Sequence, residues 1–109
     1  MRDWLAVALG ALLPLAGAAM AQEPSLVTVC ERAVAHWKTV PSVDPLVVQD
    51  FSDLDPPSVV LGFDPVLPFN FTCTFAADRS LTELCDALEC YSAGNRRFDE
   101  VTTLLKRGD

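Results

Sequence analysis

The sequence is poor in the residues most chemistry needs. It has one histidine, His36, and five glycines in 109 residues. A glycine-rich phosphate loop has little material to draw on, and none is present. Basic residues are scarce as well: 8 lysines and arginines face 15 acidic residues, for a net charge of −7. That balance excludes nucleic acid as a partner, because phosphates require a basic surface, and it disfavours anionic lipid. It suits a soluble domain or one that meets a cationic protein. No internal repeat or low-complexity tract interrupts the chain. The cysteines form no C-x-x-C and have no zinc-ligand spacing, so redox and metal roles lack a motif, and no cofactor or metal is expected.

What is present begins with an export signal. Arg2 is followed by an almost wholly apolar run, Trp4 to Ala18, and then by Ala19-Met20-Ala21. Charge, apolar run and small-x-small site in that order define a cleavable secretory leader over residues 1–21, cut between Ala21 and Gln22. Trp4 to Met20 is short for a membrane span, and Gln22 and Glu23 follow without basic stop-transfer residues, so no stable anchor is expected after cleavage. Cys30 lies well past the cut, which argues against a lipoprotein. The alanine-rich leader points to bacterial export, to the periplasm of a Gram-negative cell or to secretion. Arg2 and Asp3 leave together, so the mature chain keeps its charge of −7.

Residues 22–109 make one small domain with a thin core, for which covalent staples help. All four cysteines lie here. An even number in a short exported chain implies disulfides. Ser25 to Lys38 has helical spacing, with Leu26, Val29, Cys30, Ala33, Val34 and Trp37 on one face and Ser25 as N-cap. A segment broken by Pro41, Pro45, Pro56 and Pro57 follows, with residues 46–51 as a candidate edge strand. Two alternating runs, Val59 to Phe63 and Phe69 to Phe75, predict a hairpin. Ser80-Leu81-Thr82-Glu83 reads as a capping box, which predicts a helix to about Cys90 with Leu81, Leu84, Cys85 and Leu88 on its apolar face. A last helix is expected from about Phe98 to Lys106. The expectation is an α+β domain: an N-terminal helix packed on an antiparallel hairpin, then two short C-terminal helices.

Cys30 and Cys73 each fall on an apolar face that would meet in one layer. This favours Cys30 with Cys73 and Cys85 with Cys90, while Cys30–Cys85 with Cys73–Cys90 stays open. Five residues apart in an unbroken helix, Cys85 and Cys90 would be about 8–9 Å apart at Cα, too far to bridge, so the favoured pairing requires the chain to unwind before Cys90.

The remaining candidates are modest. His36 could be a general base, but has no nucleophile in a recognisable context nearby, and reads as a boundary histidine. Asp44, Asp50, Asp53 and Asp55 lack the glycine and closing glutamate of a calcium loop, and read as a solvated loop. Asn70-Phe71-Thr72 is a glycosylation sequon with no role in bacterial export. Arg96-Arg97 reads as a solvated turn. No catalytic, cofactor or metal residue is assigned. The first expectation is therefore a non-catalytic binding domain. An inhibitor of a cationic secreted or envelope enzyme is the second, with the Pro-rich segment from Pro41 to Pro68 as its natural contact loop. An enzyme of unknown type, with a cleft where His36 or the loop aspartates converge, is the third.

Overall fold

The computed structural model describes residues 23–66 and 70–109. The leader and its Ala21–Gln22 cut lie outside the described residues, as do residues 67–69, among them Phe69 of the second alternating run. The order is helix α1 (Leu26–Lys38), strands β1 (Val47–Phe51), β2 (Ser58–Gly62), β3 (Asn70–Phe75), β4 (Leu81–Cys85) and β5 (Cys90–Tyr91), and helix α2 (Arg96–Lys106). The strands form one antiparallel sheet in chain order. The fold is α+β, with two helices beside a five-stranded antiparallel sheet among the described residues. No helix among the described residues is long and apolar enough to cross a membrane.

α1 starts where its sequence permits. The Ser25 hydroxyl accepts the Thr28 amide at 3.1 Å, satisfying one of the first-turn donors. Thr39 takes a left-handed conformation (φ 59°) and closes the helix, its amide donating to the His36 carbonyl. The buried face of α1 lies over β2 and β3. There Cys30, Ala33 and Val34 meet Val59 and Leu61 of β2 and Cys73 and Phe75 of β3, all out of contact with solvent. α2 packs beside α1, contributing Phe98 and Val101 to the same core. Asn95 caps α2 by accepting the Phe98 amide at 2.9 Å.

Residues 81–91 differ from the expected helix. They form β4 and β5, so only one C-terminal helix exists. Ser80 does not cap. Its amide and hydroxyl both donate to Asp78 Oδ1, at 3.0 and 2.6 Å, which ties the residue into the β3–β4 turn. The helical spacing of Leu81 and Leu84 has another source. Phe75 pairs with Leu81 and Thr74 with Glu83, leaving Thr82 as an extra residue in a β-bulge. The bulge shifts strand parity by one, so residues three apart both reach the core: Leu81 and Leu84 are buried, whereas Leu88 is 91% exposed at the hairpin tip.

Two disulfides staple the domain, Cys30–Cys73 and Cys85–Cys90. The first joins the middle of α1 to β3 in the buried layer. The second crosses the β4–β5 ladder between register partners, with Cα atoms 3.9 Å apart. Extended strands facing each other provide the proximity that a helix would deny. Two bridges in so small a fold are consistent with an oxidising extracytoplasmic compartment.

Candidate interaction surface

Among the described residues, β1 pairs with β2 on one side and no strand borders its other edge. Every residue of the strand is exposed. Register explains how apolar residues come to lie on both faces. Val48 and Asp50 stand beside Leu61 and Val59, on the face the helices cover further in. Val47, Gln49 and Phe51 stand beside Gly62, Val60 and Ser58, on the opposite face. Val47 is 56% exposed and Val48 43%. Leu46 and Leu54 extend this apolar character to either end, both more than half exposed. The sheet's other edge is short. β5 is two residues long, and the Tyr91 ring packs on Trp37 with centroids 4.4 Å apart.

The surroundings of β1 carry one sign of charge. Between Thr39 and Ala77 there are five aspartates, Asp44, Asp50, Asp53, Asp55 and Asp64, and no lysine or arginine. Lys38 is the nearest cation in sequence and lies over the Phe63 ring, 5.0 Å from its centroid. Asp50 Oδ1 accepts the Ser52 amide at 2.9 Å. Hydrogen bonding from the Ser52 side chain, then from its amide, holds the Asp50 carboxyl below its ordinary value, so it is ionised at neutral pH.

The other sequence candidates fall elsewhere. His36 is partly buried near the end of α1. It is not in the lining of either of the two open cavities described here. One is a groove of about 650 Å³ between the N-terminal segment, the β3–β4 turn and α2. It is crossed by the chain's own contacts: Arg79 pairs with Glu23 at 3.1 Å and donates to the Pro24 carbonyl. The other is a shallow depression on the outer face of α2, lined by Arg96, Glu100 and Arg107 among others. Asp44, Asp50, Asp53 and Asp55 are not gathered into a ligand set. Among the described residues, only Glu83, Cys85 and Cys90 bring three ligand atoms within 4.8 Å of one another, and the two sulfurs are joined. Asn70 opens β3 and is exposed.

Arg97 does not lie in a solvated turn. Arg96 is solvated, 3.9 Å from Glu100. Arg97 instead lies over the Trp37 ring, 4.6 Å from its centroid, and donates to the Trp37 carbonyl at the end of α1. Nothing in the dipeptide distinguishes the two arginines. The exposure of both faces of β1 was equally hidden, because apolar residues in a candidate strand ordinarily imply burial. No family model, curated protein or solved structure matches the chain.

Proposed function

We propose that this chain is an exported, non-catalytic interaction domain that contacts its partner through the β1 end of the sheet. The observation that carries the reading is the exposure of all five β1 residues on a sheet edge that no other strand among the described residues borders. Soluble domains normally blunt such an edge or cover it, so one that exposes Val47, Val48 and Phe51 is a candidate contact surface. The leader, the acidic charge and the two staples are consistent with a domain that works outside the cytoplasm. Inhibition of a cationic secreted or envelope enzyme is the second reading, favoured by Asp44, Asp50, Asp53 and Asp55 in and beside this edge strand.

The test is site-specific crosslinking in the native envelope. A photoreactive residue is placed at Val48 or Leu54, and at Leu88 as a remote exposed control. The expected result is one shared adduct from positions 48 and 54 that is missing from 88. A shared partner of high isoelectric point whose activity falls on binding supports inhibition. Identical adducts from all three positions, or none from 48 and 54, would overturn the reading.

A further inference from the structure

Resting on the interaction reading above, we infer that β1 takes its partner by strand addition, and that the partner is an extended segment alternating apolar and cationic residues. Three features of the strand lead there. Its outer edge carries backbone amides and carbonyls with no neighbouring strand, which an incoming extended chain can pair with. Its side chains offer apolar neighbours on both faces, Val47 and Phe51 on one and Val48 on the other, so an added strand would find apolar contacts whichever way its own side chains alternate. Asp50 within the strand, and Asp44, Asp53 and Asp55 at its two ends, supply the charge complement for lysine or arginine.

A second copy of the chain fits this edge poorly. Two β1 strands paired antiparallel around Gln49 would lay Asp44 of each copy against the loop holding Asp53 and Asp55 of the other. Like charges would then meet at both ends of the new ladder, between molecules that each carry −7. A cationic extended segment reverses both terms.

The experiment uses the full chain, exported and recovered oxidised, with a blocked nine-residue peptide alternating valine and lysine. One control replaces lysine by glutamate. Another is N-methylated at alternate residues, which removes backbone donors without changing charge. Binding is followed by amide hydrogen exchange and titration at two salt concentrations. The expected result is binding of the lysine peptide alone, with exchange at Val47–Phe51 slowed on the order of tenfold and affinity falling as salt screens the aspartates. The triple variant D50N/D53N/D55N should lose most of the salt dependence while keeping its melting temperature.

Equal binding of the N-methylated peptide, no binding of the lysine peptide, or protection away from β1 would each overturn strand addition. Concentration-dependent protection of β1 without peptide would assign the edge to a second copy instead, and would also overturn it. Crosslinks from positions 48 and 54 that persist when the peptide fails would leave the interaction reading standing and remove only this mode of contact.

Discussion

At the scale of single residues, Trp37 is a point where three elements meet. Its ring is stacked against Tyr91 and covered by Arg97, so α1, β5 and α2 meet there. Arg97→Ala removes a cation–π contact and a charged donor to a helix carbonyl, and should cost about 1 kcal/mol in chemical denaturation. Arg96→Ala, a few ångströms away in solvent, should stay within about 0.5 kcal/mol. Asp86 makes several contacts of its own. Its Oδ1 accepts the amides of Leu88 and Glu89, both at 2.8 Å, and its Oδ2 accepts the Tyr91 hydroxyl. The Glu89 amide first, then that of Leu88, holds its carboxyl below the ordinary value. A depressed carboxylate stabilises the fold above its unfolded pKa of about 3.9, and that contribution disappears as pH falls through the folded value. Asp86→Asn should therefore flatten part of the acid limb of stability, measured as melting temperature from pH 6 to pH 2. Tyr91 is shifted the opposite way, upward, by desolvation first and then by its bond to Asp86, so its contribution is lost only at alkaline pH.

At the scale of elements, period alone read α1 and the β2–β3 hairpin well, because each has a single clean repeat. Leu26, Cys30, Ala33, Val34 and Trp37 share one helical face and are buried; Val59 and Leu61, then Cys73 and Phe75, alternate and are buried. The same logic placed Cys30 and Cys73 in one layer. It failed at Leu81 to Cys90, where a bulge at Thr82 imitates helical spacing and Ser80 serves a turn. A local pattern cannot announce a bulge, since the extra residue is defined by the partner strand. The two interpretations differ in a measurable way. In a helix, Leu84 and Leu88 would share the core face. In the hairpin, Leu84→Ala should cost about 3 kcal/mol, whereas Leu88→Lys should be nearly neutral. Comparable losses from the two variants would restore the helix.

At the scale of the molecule, charge is divided unevenly. The segment around β1 and β2 carries aspartates alone, while Arg79, Arg96, Arg97, Lys106 and Arg107 lie in the C-terminal part. The acidic composition, the Pro-rich segment and the edge strand at residues 46–51 within it were legible at once; the exposure of both faces of that strand was not, because exposure depends on what the rest of the fold lays against it and not on any one strand's pattern. The repulsion that keeps two such edges apart should weaken as acid neutralises the aspartates. Light scattering is expected to show self-association rising below about pH 5, where carboxylates begin to protonate. Phe51→Lys should suppress it by placing a charge on the edge. Unchanged association in that variant would locate the sticky surface elsewhere.

The two disulfides join cysteines that are consecutive in the chain, the first to the second and the third to the fourth. A polypeptide threaded through a membrane amino-terminus first presents Cys30, then Cys73, before either remaining thiol arrives. An oxidant that simply couples each new thiol to the last one waiting would produce the native connectivity. Under the export proposed above, this connectivity would need an oxidase at the exit and no isomerase to correct it. The staple between α1 and β3 would then close before β4, β5 and α2 had crossed.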